Sequence, residues 1–398
     1  MRKILARQLR RLRGAYGPTP ADFRDLAESV REHYPEENAN SGVSSNRTLL
    51  VTSNGAGLGH LSRLNAVSRY LSGDNLIYTL SSAYKQVQRD PGTIIYMPSY
   101  GDLGMSGRAW NPLLKAHFAA VVSAFKPDRV VFDGTYVYRG VTEVAQQHGI
   151  PLIWLRRGCW KREIQARSAQ WRYPERYADY LLVPGDYGCD EPIDSEAVIP
   201  SALVSPISVI SKKDLLYRDE ARLQLRLPAD KKLALIQIGA GVINDTNSLM
   251  RAAVEGVKSL GPDWEPVVAV NPLRGTKTDN DVFQVQQYPL ARFYSAFDVA
   301  VSAAGYNAVQ ESVIGELPTV FVPNLKTKTD DQLRRATGMA ESCLGLIALS
   351  DDDLISKIKL ISNATRQEEI RYALGQTLQP NGASEAANYI QGIKLGDI

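Results

Sequence analysis

At 398 residues the chain is longer than one hydrophobic core usually supports, so its length predicts two domains of similar size. A formal net charge of +3 is too small to indicate nucleic acid as a partner. The three cysteines lie far apart without a CxxC pair, which argues against a disulfide framework or a zinc site and favours a reducing, cytoplasmic compartment.

The N-terminal residues are strongly basic. Six lysines and arginines lie between Arg2 and Arg13, and no acid occurs before Asp22. Residues 1–34 are therefore predicted to be a basic helical appendage: a membrane-surface element, a solvated basic arm or a mitochondrial transit peptide. No apolar run approaches the ~18 residues that a spanning helix needs, so membrane contact is expected to be peripheral, on the inner face.

After a polar linker at residues 35–47, short β-rich runs alternate with helical stretches such as 61–72 and 109–125. Strands that are apolar along their whole length and alternate with helices predict parallel sheets covered on both faces. The alternation breaks near residues 185–230 and then restarts, which predicts an α/β protein with two domains, 47–205 and 230–380, and a last helix within 381–398 that packs back on the first domain. The predicted strands are 48–53, 75–80, 93–98, 129–134, 151–156 and 179–184, then 232–239, 266–272, 282–289, 298–305, 318–324 and 344–350.

A glycine loop, NGAGLGH at residues 54–60, follows the first predicted strand and opens a helix. Ligands of open parallel sheets bind beyond the carboxyl ends of the strands, and free N–H groups at a helix start attract polar or anionic groups. Its spacing differs from G-x-G-x-x-G, so NAD is not favoured. Asn54, Gly57 and Gly59 are predicted to contact the acceptor of a transferred group.

His60 ends this loop, and Asp133 ends the strand run RVVFD. A histidine that titrates near neutral pH is suited to deprotonate an acceptor hydroxyl. Asp133 is predicted to lie at the same edge of the sheet, where it would orient His60 or bind the acceptor. The plainer alternatives are a histidine that caps the loop and an aspartate that begins a turn before Gly134.

Two further turns follow strands of the second predicted domain. Gly239, Ala240 and Gly241 follow the strand 232–239, with Asn244 just beyond, and Gly305 follows the strand 298–305. Two glycine turns that face one cleft are more specific than one.

Gly305 is predicted to open a helix that carries Tyr306, Asn307 and Glu311. Residues four apart share one helix face, so Asn307 and Glu311 would both face the cleft. A carboxylate at that depth can accept both hydroxyls of a ribose, while the helix start meets a diphosphate. These features predict a nucleoside diphosphate site.

Polar residues follow the next predicted strand. Asp330 is predicted to cap the following helix, with Asp331 and Gln332 available to bind sugar hydroxyls. Lys326 and Lys328 would either neutralise phosphate or lie in a solvated loop.

Arg156 and Arg157 end the strand 151–156. Guanidinium groups there suit a sugar- or phosphate-bearing acceptor, and the alternative is a basic surface loop.

The run DND at residues 279–281 has the spacing of a metal-binding D-x-D, but it follows a polar segment and is interpreted as a loop. No metal or other cofactor is expected. Without a metal, helix termini and basic groups would have to stabilise a bound diphosphate.

The motifs SAAGYNAVQE, GELPTVFVP and DDQLRRA resemble the donor-binding region of MurG-like glycosyltransferases of the GT-B fold, and NGAGLGH resembles their first glycine loop. The resemblance is close over residues 298–340 and loose over 48–65. It implies two Rossmann-like domains that face each other across a cleft. It also implies that Glu311 binds the ribose, that Gln332 binds the sugar and that His60 lies near the reacting centre. Gly239–Gly241 and Gly305 would meet the diphosphate.

The predicted function is transfer of a sugar from a UDP-sugar (UDP-GlcNAc, UDP-Glc or UDP-Gal) to a hydroxyl of a cell-envelope, lipid-linked or polysaccharide acceptor. Inversion at the anomeric carbon is implied by the resemblance alone. Two alternatives stay open: a UDP-sugar hydrolase or epimerase on the same fold, and a non-catalytic nucleotide-sugar-binding partner of a membrane assembly.

Overall fold

The computed structural model describes residues 24–34, 46–53, 58–87, 93–189, 198–238, 247–270 and 282–394. The strands are β1 Thr48–Thr52, β2 Asn75–Thr79, β3 Ile94–Tyr96, β4 Arg129–Asp133, β5 Leu152–Leu155, β6 Tyr180–Pro184, β7 Ser201–Val204, β8 Lys232–Gln237, β9 Trp264–Ala269, β10 Phe283–Val285, β11 Val299–Ala303, β12 Thr319–Val322 and β13 Leu346–Ile347. The α-helices are α1 Arg24–His33, α2 Gly59–Ser68, α3 Gly107–Phe125, α4 Arg139–Gln147, α5 Arg162–Arg167, α6 Ala169–Arg172, α7 Arg218–Leu225, α8 Asn247–Lys258, α9 Tyr306–Ile314, α10 Gln332–Glu341, α11 Asp351–Ile361, α12 Ala364–Thr377 and α13 Ala383–Gly392.

The strands form two sheets in which every pairing is parallel. The first sheet has the order β3-β2-β1-β4-β5-β6-β7, and the second has the order β10-β9-β8-β11-β12-β13. The elements of each sheet are called the first and the second lobe below. Each sheet runs outwards in both directions from a central pair, as in the doubly wound Rossmann fold. The predicted α/β class with two Rossmann-like halves is confirmed.

The strand order fixes where ligands can bind. In a doubly wound sheet, a crevice opens at the carboxyl ends of the two strands between which the order reverses. These strands are β1 and β4 in the first lobe, and Thr52 pairs with Asp133 at their carboxyl ends. In the second lobe they are β8 and β11, which end at Gln237 and Ala303. Both crevices therefore receive the residues that follow these four strands.

Burial explains why the central strands consist mostly of apolar residues. Every residue of β1, β4, β5 and β12 is buried, because helices cover both faces of each sheet. The helices begin at side-chain caps where the sequence supplies them: Ser106 caps α3, Ser350 caps α11 and Asn363 caps α12.

The last helix crosses from the second lobe to the first. The buried residues of α13 are Ala383, Ala386, Ala387 and Ile390, whose spacing places them on one face, and the helix packs against α2. Beyond the helix, Arg129 of β4 donates to the carbonyl of Ile393 at 2.8 Å. The C-terminal segment therefore fastens the two lobes together.

Three details differ from the sequence-based expectation. The break at 185–230 contains a strand, β7, which pairs with β6, and a helix, α7. Residues 24–34 are not a separate appendage, because α1 packs on α3 and the side chains of Val30 and Tyr34 are buried. The cap of α10 is Asp331 rather than Asp330, since the Asp331 carboxylate accepts from the N–H of Arg334.

Candidate active site

A cleft of about 450 Å³ lies between the lobes, where the carboxyl ends of the two sheets face each other. That volume is within the usual range of small-molecule sites. Residues from both lobes line it, including Gly59, His60, Arg63, Arg157, Gln237, Tyr288, Gly305, Tyr306, Asn307, Glu311, Asp330 and Gln332.

On the first lobe, a histidine and an aspartate that are 73 residues apart in sequence meet at the β1–β4 crevice. His60 lies at the start of α2, and its Nδ1 is 2.8 Å from Oδ1 of Asp133, which is fully buried. With Nδ1 protonated and donating to this carboxylate, Nε2 carries the lone pair. The side chain of His60 is 15% exposed and lines the cleft. The pair has the arrangement of a general base and the carboxylate that orients it.

Burial and the neighbouring charges together favour neutral imidazole and ionised carboxylate in this pair. Burial lowers the pKa of His60, and nearby Arg63 and Arg157 act in the same direction, whereas Asp133 opposes them. Burial alone would raise the pKa of Asp133, but Arg63 and His60 outweigh it and hold the pKa of that carboxyl below its usual value. The resting pair can therefore take up a proton at neutral pH.

On the second lobe, α9 begins at the β8–β11 crevice. Gly305 is its N-cap, and Tyr306 and Asn307 form its first turn. A Cβ placed on Gly305 would meet nothing within 4 Å, so the space beside it is open. Because the first N–H groups of a helix have no partners within the helix, this end is suited to an anion.

Glu311 lies on α9 one turn beyond Asn307 and faces the cleft. Burial raises the pKa of Glu311 to about 7, and a hydrogen bond from the Tyr294 hydroxyl partly offsets this. The cleft thus presents a carboxylate and a helix N-terminus side by side, as a ribose joined to a diphosphate requires.

The third side of the cleft is made where loops of both lobes meet. Arg157 Nη1 lies 3.5 Å from Asp330 Oδ1, and both residues line the cleft. The backbone N–H of Lys161 donates to the carbonyl of Thr329 at 2.8 Å, which joins the loop after β5 to the loop after β12. Gln332 accepts from the N–H of Asn324 through Oε1 at 2.9 Å and lines the cleft beside Asp330.

No protein-family model matches the chain. A UDP-N-acetylglucosamine–N-acetylmuramyl-(pentapeptide) pyrophosphoryl-undecaprenol N-acetylglucosamine transferase of Flavobacterium psychrophilum is 24% identical over 290 residues, which cover 69% of this chain and 74% of that protein. A protein of the same name from Exiguobacterium sp. is 25% identical over 280 residues, which cover 67% of this chain and 71% of that protein.

Solved structures share the architecture at lower sequence identity. MurG of Acinetobacter baumannii aligns with a TM-score of 0.57 and 16% identity over 87% of this chain and 100% of its own. Spinosyn forosaminyltransferase SpnP aligns with a TM-score of 0.60 and 13% identity over 88% of this chain and 100% of its own. UGT2 of Phytolacca americana, solved with UDP-2-fluoro-glucose and pterostilbene, aligns with a TM-score of 0.60 and 13% identity over 87% and 99% of the two chains.

The chain resembles the MurG-like glycosyltransferases. Its two facing Rossmann-like lobes are the GT-B fold that the sequence motifs implied.

Most of the predicted site residues that the structure describes lie at the cleft. Gly59, His60, Arg157, Gly305, Tyr306, Asn307, Glu311 and Gln332 line it, and Asp133 lies behind His60. Asn54, Gly57, Gly239, Ala240, Gly241 and Asn244 lie outside the described residues.

Two predicted residues have other surroundings. Arg156, predicted to contact the acceptor, is buried, with its guanidinium carbon 4.0 Å from the ring centroid of Trp171. It is not among the residues that line the cleft, whereas its neighbour Arg157 is. Asp331, predicted to bind the donor sugar, points its carboxylate back at the first turn of α10, and the neighbouring Asp330 lines the cleft instead.

Among the cleft residues that were not singled out from the sequence, Arg63 and Tyr288 make contacts that bear on the site. Arg63 makes a two-point contact with Asp133, and its position three residues after His60 on one helix face was an available signal. Tyr288 of the second lobe donates to the Ser62 hydroxyl of the first lobe at 2.9 Å. No pattern in the sequence marks Tyr288, since it lies just beyond a short strand.

Over the described ranges, no group of three or more His, Cys, Asp or Glu side chains is arranged to hold a metal ion. The DND run at 279–281 lies outside those ranges. None of the helices described is both long enough and apolar enough to span a bilayer.

Proposed function

We propose that this protein transfers a sugar from a UDP-sugar to an acceptor hydroxyl. The observation that carries the proposal is one cleft with the His60–Asp133 pair on one wall and Glu311 with the start of α9 on the other. A base for the acceptor thus faces a site for the nucleoside diphosphate.

The reaction is a single displacement with inversion. Nε2 of His60 takes the proton of the acceptor hydroxyl as its oxygen attacks the anomeric carbon. The bond from that carbon to the β-phosphate oxygen breaks, and UDP leaves with the electron pair. Asp133 stabilises the imidazolium that forms. The N-terminus of α9 would offset the charge that develops on the diphosphate, without need of a metal.

The donor class is UDP-hexose or UDP-N-acetylhexosamine, and the acceptor class is a lipid-linked or cell-envelope hydroxyl. The printed names of both curated relatives give N-acetylglucosamine as the sugar and pyrophosphoryl-undecaprenol as the carrier of the acceptor. Arg157 at the cleft edge suits a phosphate-bearing acceptor of that kind.

A lipid-linked acceptor requires contact with a membrane surface on the cytoplasmic face. We assign this contact to the bases between Arg2 and Arg13, which lie outside the described residues. Each base near an anionic surface contributes about 1 kcal/mol. Replacing these six bases by glutamine should abolish sedimentation with phosphatidylglycerol vesicles and leave UDP binding unchanged. Equal sedimentation of both proteins would remove this assignment.

Product analysis separates transfer from its alternatives. UDP-sugars that raise the melting temperature are identified first, because a ligand of the folded state stabilises it. UDP release only when acceptor is added supports transfer. Release from the UDP-sugar alone indicates hydrolysis, a changed sugar indicates epimerisation, and binding without turnover for every pairing indicates a binding partner.

Glu311 predicts how UDP binding depends on pH. The carboxylate accepts two ribose hydroxyls only when ionised, and its pKa in the ligand-free protein is about 7. Its ionised fraction falls from about 0.9 at pH 8 to about 0.1 at pH 6, so UDP affinity should weaken about tenfold over that interval. Isothermal titration at both pH values measures the change.

Glu311→Gln is the matched control. It should bind UDP weakly at pH 8 and lose the part of the pH dependence that comes from the ionisation of residue 311. The remaining pH dependence would come from the terminal phosphate of UDP, whose pKa is about 6. An equal change of UDP affinity with pH in the two proteins would show that Glu311 does not bind the ribose.

A further inference from the structure

Arg63 contacts both members of the His60–Asp133 pair. It lies on α2 and is 2% exposed. Its Nε donates to Asp133 Oδ2 at 2.8 Å, and its Nη2 donates to Asp133 Oδ1 at 2.7 Å. Nη2 also lies 3.1 Å from His60 Nδ1. One guanidinium therefore fixes the carboxylate that orients the imidazole.

The same guanidinium reaches the second lobe. Its Nη1 donates to Asn307 Oδ1 at 3.4 Å, and its central carbon lies 4.9 Å from the ring centroid of Tyr306. Asn307 also contacts the first lobe through a second hydrogen bond, since its Nδ2 donates to the carbonyl of Gly59 at 3.3 Å. Tyr306 and Asn307 form the first turn of α9, so Arg63 joins the start of α2 to the start of α9.

Resting on the proposed function, we propose that Arg63 is a positioning residue. Through Asp133 it fixes the direction of His60, and through Asn307 and Tyr306 it fixes the distance between His60 and the donor diphosphate. It makes no contact of its own with the transferred sugar in this proposal.

Two properties of arginine are needed for this role. Its planar fork contacts both oxygens of Asp133 while a third nitrogen reaches Asn307, which a lysine ammonium cannot reproduce. Its fixed positive charge also faces His60 together with two other groups, Asp133 of β4 and Arg157 after β5. Removal of that charge would favour imidazolium, whereas lysine would keep the charge and lose the fork.

Transfer kinetics test whether the planar fork of Arg63 fixes the geometry of the site. Misplacement of reacting groups by about 1 Å costs up to about 10²-fold, so Arg63→Lys should lower kcat at least about tenfold while UDP binding, which depends on Glu311, changes little. Arg69→Lys makes the same substitution on an arginine that follows α2 and bonds the carbonyl of Val209, and it should retain full activity.

A double-mutant cycle tests the link between the lobes. If Arg63 acts through Asn307, the variant with both Arg63→Lys and Asn307→Ala should be no slower than the slower single variant. Losses that multiply would overturn the link, and so would an Arg63→Lys protein as active as Arg69→Lys.

A measurement without substrate separates this inference from the proposed function. Histidine NMR can follow His60, because the chain has only four histidines. Loss of a neighbouring positive charge should raise the pKa of His60 in Arg63→Met and leave it unchanged in Arg63→Lys. An unchanged pKa in folded Arg63→Met overturns the inference even if transfer is established. If Arg63→Met does not fold, the lysine variant and the cycle decide.

Discussion

His60→Ala is expected to lower the rate of sugar transfer by about 10²–10⁴-fold, the usual contribution of a positioned general base. UDP binding should change by less than about threefold, because Glu311 and the start of α9 lie on the other wall of the cleft. Single-turnover rates and UDP titration measure the two quantities separately. His148→Ala, which removes an exposed histidine after α4, is the matched control and should be as active as the parent protein.

The dependence of the rate on pH checks the same role. Only neutral imidazole accepts a proton, and burial lowers the pKa of His60 below its ordinary value of 6.5. With UDP-sugar and acceptor both saturating, the acid limb of kcat should therefore lie below pH 6.5 in the parent protein, whereas kcat/KM also reflects the ionisation of Glu311. A His60→Ala protein that keeps its rate within about threefold would exclude His60 as the base.

The central strands of both sheets were predictable because they are covered on both faces. RVVFDG predicted a strand at 129–134, and the structure has β4 at Arg129–Asp133, every residue of which is buried. β7 was missed for the opposite reason. It lies at the edge of its sheet with Leu203 exposed, so its short run carries neither a continuous apolar pattern nor a clear alternation.

The meeting of His60 with Asp133 was predictable from chain order, since residues that follow adjacent parallel strands share one edge of the sheet. Arg63 was harder to foresee because α2 is buried on nearly all sides, so its polar residues do not mark an outer face. Asp330 and Asp331 show another limit. Both can cap a helix, and only the backbone path decides which one turns to the cleft.

Arg335→Met is expected to lower the free energy of unfolding by about 3–5 kcal/mol, the usual cost of leaving buried charges without their partner. Arg335 is fully buried, with Nε 2.7 Å from Asp186 Oδ2 and Nη2 2.8 Å from Asp330 Oδ1. Asp186 follows β6 of the first sheet and Asp330 follows β12 of the second sheet, so the guanidinium lies where the lobes join. The urea midpoint measures the change.

Two further variants separate charge pairing from loss of packing. Arg139→Met removes an arginine whose side chain is 83% exposed and paired with Glu143, and it should cost less than about 1 kcal/mol. Arg335→Met leaves the carboxylates of Asp186 and Asp330 without their arginine partner. Adding Asp186→Asn removes one of these two negative charges, so the double variant should be more stable than Arg335→Met alone. The losses of unfolding free energy caused by Arg335→Met and by Asp186→Asn alone are then compared with the loss in the double variant. If the two single losses simply add, Arg335 stabilises the junction by filling space, and its ion pairs with Asp186 and Asp330 contribute nothing beyond that.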